Sequence, residues 1–271
     1  TQIRLKGESL MFGLAETEDE LQDHYEAIVR ESERLSWLVD NVLDYAERLL
    51  DKMPDDLDVA MFSCTGTEAN ELALRVARIY TEGTGIIVTE DAYHGNSHAI
   101  AEISTEDNEP EDRSDYIVTV PAPDTYRGIY REEDAADKYA EHIKVAINLL
   151  KERNIKVAAF IIDTIVSSSG VVGAPPGYLR KAAEIIREAG GLFIADEVQP
   201  GFGRTGKNFW GFEIVFHWSN LAKLAFYPDK CDKMCDICRR ISGNYVHGFF
   251  FIGSLNAPKY AVFLSLNHIF K

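Results

Sequence analysis

The sequence predicts an α/β fold in which helices cover both faces of a mostly parallel sheet. Two observations carry that expectation. Between residues 59 and 196, near-continuous apolar runs alternate with amphipathic helices, and two of those runs end in short segments rich in Gly, Thr, Asp and Glu. Strands buried on both faces read as unbroken apolar runs, and sites in such sheets lie beyond the carboxyl ends of the strands. At 271 residues the chain is long enough for one large domain or two modest ones.

The elements follow in order. Over 20–50, Tyr25, Ile28, Val29, Leu35, Leu38, Val39, Val42, Leu43, Ala46, Leu49 and Leu50 recur every three or four positions, which predicts a long amphipathic helix. "VAMFSC" (59–64) reads as a strand and "GTEANELALRVARIY" (66–80) as a helix. "GIIVTE" (85–90) and "DYIVTV" (115–120) are short β-rich runs, and a long helix covers 133–152. "VAAFIID" (157–163) is a buried strand, a helix follows over 177–189, and "GLFIAD" (191–196) is the next strand.

Composition narrows the partners. A net charge of −16 argues against nucleic acid or an anionic membrane surface, since both attract basic patches. Four cysteines in a chain of this length do not suggest a disulfide framework, and no charged-then-apolar leader opens it, so a reducing, cytoplasmic setting is expected. The charge is uneven: residues 214–271 carry seven Lys/Arg against three Asp/Glu and hold three of the four cysteines. Such a shift marks either a domain boundary or a change of origin. The expected divisions are a helical segment at 1–46, the α/β region at 44–213 and an unassigned basic tail at 214–271.

Two strand ends carry candidate chemistry. Thr65-Gly66-Thr67-Glu68 opens a helix and reads either as a capping box or as a phosphate cradle. In the second reading the N–H groups of Gly66 and Thr67 face an anion at the positive helix end. In "IADEVQPGFGRTG", Asp196 ends an apolar strand, where a carboxylate is paired or solvated, and a protonated ring nitrogen would suit it as a partner. Val198 and Gln199 share that exit, while Tyr93 and His94 offer flat rings ahead of Gly95.

Together, "CTGTEANELALRVAR", "AYHGNS" and "GVVGAPPGYLRKAAEIIREAGGLFIADEVQPGFGRTGKNFWGFE" resemble the class III aminotransferases, which depend on pyridoxal 5'-phosphate. The resemblance implies an incomplete form of the large domain of PLP fold type I. It implies that Gly66 and Thr67 bind the cofactor phosphate, that Tyr93 stacks on the ring and that Asp196 pairs with the ring nitrogen. Val198 would pack on the opposite face and Gln199 would lie near the ring hydroxyl. The implied activity moves an amino group from an amine or amino acid to a keto acid or aldehyde, in a homodimer. Where many members have Glu-Pro after the strand, this chain has Asp163-Thr164.

The reaction needs a lysine amine that forms a Schiff base and moves the proton at the substrate carbon. Counting from the DEVQ strand, the family's lysine falls at Phe226, and no lysine matches its motif. Lys223, three positions early in a different local sequence, is the nearest candidate, and an impaired or inactive chain is therefore expected. Cys231, Cys235 and Cys238 have a spacing that an iron–sulfur cluster, zinc or chance could explain, and no metal is assigned. "FFFIGSLNAPKYAVFLSL" reads as a β-rich pair around a turn and not as a membrane span.

The first 46 residues, through "IRLKGESLMFG" and "YEAIVRESERLSWLVDNVLDYA", resemble the dimerisation helices of a sensor histidine kinase. In that family the phosphorylated histidine would fall before Thr1, and His24 matches no phosphoacceptor motif. "DNVLDYAER" fits either resemblance, so a join of two origins is expected there. The alternative function is a dimerising signalling module with a non-catalytic PLP-binding region.

Overall fold

The computed structural model describes residues 2–14, 17–54, 57, 59–106 and 112–214, together with two short strands at 251–252 and 261–265. The chain falls into two compact units, divided between Met53 and Pro54.

The first unit holds helices α1 (Gln2–Met11) and α2 (Glu18–Leu50). Thr17 caps α2 by accepting from the Glu20 N–H, and Glu18, Asp19 and Glu20 place negative charge at the positive end of the helix. The sequence periodicity is realised as a helix of 33 residues. Most of its apolar stripe stays exposed, including Tyr25, Val29, Leu35 and Leu38.

The second unit runs β1 (Val59–Ser63), α3 (Gly66–Thr81), β2 (Gly85–Thr89), α4 (His98–Ala101), β3 (Ile117–Val120), α5 (Ala135–Glu152), β4 (Val157–Asp163), α6 (Tyr178–Glu188) and β5 (Leu192–Asp196). A 3-10 turn at Gly211–Ile214 follows. Four strands form a sheet in the order β3-β2-β4-β5, with every pairing parallel. Its register sets Asp163 beside Asp196 at the carboxyl ends of β4 and β5.

The apolar runs become central strands because both of their faces are covered. Ile86, Val88, Ala159 and Ile161 pack with Leu74 and Ala77 of α3 and with Ile100 of α4. Ile87, Phe160 and Ile162 alternate with these residues and are fully buried as well, so the opposite face is also closed. On α5 and α6, Tyr139 and Tyr178 meet edge to face with ring centroids 6.4 Å apart.

β1 stands apart from that sheet, between the short strands β6 (Phe251–Ile252), antiparallel to it, and β7 (Ala261–Ser265), parallel to it. The two β-rich runs near the end of the chain are therefore not paired with each other around a turn; each pairs with β1. The segment after β4 holds two branched residues with positive φ, Val166 (51°) and Val171 (56°). Lys223, Cys231, Cys235 and Cys238 lie outside the described residues.

Candidate functional site

Thr65 is the N-cap of α3. Its hydroxyl accepts from the Glu68 N–H at 3.1 Å, and the Glu68 carboxylate accepts in return from the N–H groups of Cys64 (2.7 Å) and Thr65 (3.2 Å). The capping box is thus present. It leaves aside the N–H groups of Gly66 and Thr67, which begin the helix and have no intrahelical carbonyl to meet. The cap and the cradle are compatible, because they use different amides.

Gly66 is required by what lies opposite it. A Cβ at that position would stand 2.8 Å from Cγ2 of Val198, too close for any real pair of carbons. The amide at 66 and the side chain at 198, 132 positions apart in the sequence, are therefore neighbours. Gly95 has a φ of +134° and closes on Thr67, where a Cβ would strike the threonine side chain. The Thr67 hydroxyl also lies 3.4 Å from the backbone N–H of Asn96. The loop carrying Tyr93 is in this way held against the first turn of α3.

Asp196 is 6% exposed at the end of β5. Its Oδ2 accepts from Nδ1 of His94 at 2.8 Å and from Nδ2 of Asn70 at 2.8 Å, and its Oδ1 accepts from the Val198 N–H at 3.0 Å. Burial alone would raise the pKa of this acid, but the His94 imidazole, the Val198 amide and the Asn70 amide outweigh it and hold the pKa below the ordinary carboxylate value. The group is a buried anion at neutral pH. Among the described residues its three hydrogen bonds leave one acceptor position on Oδ1, the position from which a buried carboxylate could pair with a cation.

The flat-sided residues divide. Tyr93 is 47% exposed and Val198 is 39% exposed, so both present apolar surface. His94 turns the other way: it is 3% exposed, and its ring is committed to Asp196. Since a carboxylate only accepts, Nδ1 carries the hydrogen of that bond. Nε2 of His94 is buried and has no partner among the described residues. Gln199 is exposed on the strand exit. Beside the site, the Glu197 carboxylate accepts from the Thr164 hydroxyl (2.8 Å) and from the N–H groups of Gly211 (2.6 Å) and Phe212 (2.8 Å).

The structure thus brings together Gly66, Thr67, Asp196 and Val198. Sequence reasoning missed Asn70 and gave His94 a different task. Asn70 lies on the buried face of α3, one turn beyond the cap, and nothing local in the sequence marks it out. The residues present fit pyridoxal phosphate: free amides at a helix start for its phosphate, an anion with an open lone pair for its ring nitrogen and two apolar surfaces for its faces. Among the described residues no group of His, Cys, Asp and Glu could hold a metal ion, and no helix is long and apolar enough to cross a membrane.

A family model for class-III aminotransferases matches residues 27–215. An alanine–glyoxylate aminotransferase 2-like protein of Drosophila melanogaster is 38% identical over 185 residues, covering 65% of this chain and 37% of the relative. Ethanolamine-phosphate phospho-lyase homolog 1 of Caenorhabditis elegans is 36% identical over 185 residues, covering 63% and 39%. Among solved structures, a phospholyase from Arthrobacter in complex with phosphoethanolamine superposes with a TM-score of 0.59 at 37% identity, covering 65% of this chain and 42% of that one. An amine transaminase from an uncultivated Pseudomonas species in its PLP-bound form gives 0.57 at 26% identity, covering 64% and 41%. The chain spans about two-fifths of the length of the curated relatives it matches. The family match begins inside the segment read as kinase-like and takes in residues 27–46. No finding supports the kinase resemblance or a join of two origins.

Proposed function

Because the chain belongs to the class-III aminotransferase family, we propose that its α/β region, residues 44–213, binds pyridoxal 5'-phosphate for the transfer of an amino group between an amine or amino acid and a keto acid or aldehyde. The observation that carries the reading is the buried Asp196 anion, hydrogen-bonded to Asn70 of the same helix whose first residue abuts Val198. When bound, the cofactor supplies an electron sink for charge that develops on the substrate carbon. The protein's own part is positioning and electrostatics. The N–H groups of Gly66 and Thr67 hold the phosphate, Tyr93 and Val198 cover the two ring faces, and Gln199 approaches the ring hydroxyl. Asp196 keeps the proton on the ring nitrogen. Its lowered pKa suits that task, since the carboxylate stays charged across the neutral range.

The reading extends to a homodimer, to small-molecule amino donors and acceptors, and to a cytoplasmic setting, as the cysteine usage and charge suggest. Lys223 is the candidate for the covalent amine. The test is incubation of the full chain with pyridoxal phosphate, borohydride reduction and peptide mapping. One labelled lysine together with amino transfer from an amine or amino acid to a keto acid or aldehyde supports the reading. Phosphate elimination from phosphoethanolamine, the chemistry in two relatives' names, would keep the cofactor and replace amino transfer by lyase chemistry. Saturable binding with no labelled lysine reduces the reading to cofactor binding, and absence of binding removes it.

A further inference from the structure

We propose that Asn70 is a positioning residue, which fixes the ring-nitrogen acid from the helix that carries the phosphate amides and so sets the spacing between the two ends of the cofactor. The proposal rests on the cofactor reading above. Asn70 lies in the second turn of α3, one turn beyond Gly66 and Thr67, and is buried. A carboxamide has two N–H donors. Here one goes to Oδ2 of Asp196 at 2.8 Å and the other to the backbone carbonyl of His94 at 2.9 Å. A single side chain therefore ties together the phosphate-binding helix, the acid at the end of β5 and the loop that carries Tyr93.

The acid's lone pairs show why the tie matters. A carboxylate offers about four acceptor positions. Asn70 and His94 fill Oδ2, and the Val198 N–H takes one position on Oδ1, so among the described residues the open position is on Oδ1. Without Asn70 the carboxylate would be held only by His94 on Oδ2 and the Val198 N–H on Oδ1, neither of them on α3. The direction of its open lone pair would then no longer be tied to the helix that carries the phosphate amides. The second bond also holds the His94 backbone, next to Gly95, whose closeness to Thr67 brings the loop back to the start of α3. His94 orients the same acid from the loop side, but only Asn70 belongs to α3.

The experiment compares dissociation constants of the full chain for pyridoxal phosphate, for its 1-deaza analogue (ring nitrogen replaced by C–H) and for inorganic phosphate. The ratio of the first two constants isolates the pairing of the ring nitrogen with Asp196. The wild-type chain should favour pyridoxal phosphate over the analogue by about tenfold or more, as expected for a hydrogen bond to a charged group. Asn70→Ala and the volume-keeping Asn70→Leu should reduce that preference by at least about fivefold while leaving phosphate affinity within about twofold. A purely structural role would weaken both ring ligands equally and leave the ratio untouched. That outcome in either folded variant, judged by a cooperative melt, overturns the proposal while the cofactor reading stands. A wild-type chain with no preference between the two rings overturns the cofactor reading, and the proposal with it.

Discussion

At Asp196, three hydrogen bonds converge on one buried carboxylate, so the substitution Asp196→Asn is informative. An amide at this position has a single oxygen, so its N–H₂ group must face either the Val198 N–H or the Asn70 and His94 donors. The expected loss of stability is about 1–3 kcal/mol by chemical denaturation, and the preference for pyridoxal phosphate over its deaza analogue should disappear. Gly66 gives a second residue-scale prediction. Gly66→Ala drives a methyl group into Val198 and should cost about 1–3 kcal/mol. Val198→Ala in the same chain should recover part of that loss, and a double-mutant cycle measures the coupling directly. Strictly additive effects would show that the two positions are not in contact. The placement of Gly66 and Thr67 at a helix start and of Asp196 at a strand end was legible in the sequence, because each follows an apolar run with an unusual residue type. Asn70 was not, since a polar residue within a helix is ordinarily on its solvent face and only tertiary packing turns it inward.

The elements themselves were legible because their signals are local. Apolar runs of the right length gave β1 to β5 within about two residues, as boundary fraying allows, and the Thr-Gly-Thr-Glu run located the start of α3. The link between β5 and the 3-10 turn at Gly211 was not legible, because it depends on the half-buried Glu197 carboxyl reaching two amides far ahead in the chain. Burial pushes the pKa of Glu197 up, the Gly211 amide, the Thr164 hydroxyl and the Phe212 amide pull it back, and the nearby Asp163 charge adds to the rise, for a value of about 7 against 4.5 when unfolded. The folded protein therefore holds this proton more tightly than the unfolded chain does. The resulting contribution is complete below pH 4.5 and is lost as the pH climbs through about 7. Measured against Glu197→Gln, the stability of the wild-type chain should fall over that interval, and a flat difference would refute the assignment. Gln at 197 should itself cost about 1–3 kcal/mol, since its N–H₂ group would face one of the two amide donors that the carboxylate accepts from on separate oxygens.

For the molecule as a whole, the strands covered on both faces should open least often. In native-state hydrogen exchange, the amides of Ile86, Ile87, Phe160 and Ile161, fully buried on β2 and β4, should be the slowest, and those of α2 should be among the fastest. The reverse order would mean that the parallel sheet is not the stable centre. The architecture and the family of the central region were readable from sequence because its motifs fall on consecutive strands and helices. The kinase resemblance of the first 46 residues gained no support, since an amphipathic helix of Leu, Val, Glu and Arg carries little family information and the family match takes in residues 27–46 of that segment. The β-rich runs at the end of the chain were read as neighbours of each other because local sequence cannot reveal a strand, β1, that comes between them from almost 200 residues earlier.

The left-handed backbone at Val166 and Val171 has a mechanical consequence. A side chain branched at Cβ resists that conformation by about 1–2 kcal/mol, yet the loop after β4 is pinned there: Asp163 accepts from the N–H groups of Ile165 and Ser167, and Arg127 grips the Ser169 carbonyl at 2.6 Å. The loop is a spring held under load beside the carboxyl ends of the strands. Exchanging Val171 for glycine should release it and raise the melting temperature, by an amount corresponding to at most about 1 kcal/mol. A lower melting point would instead mean that the branched side chain is itself part of the clamp.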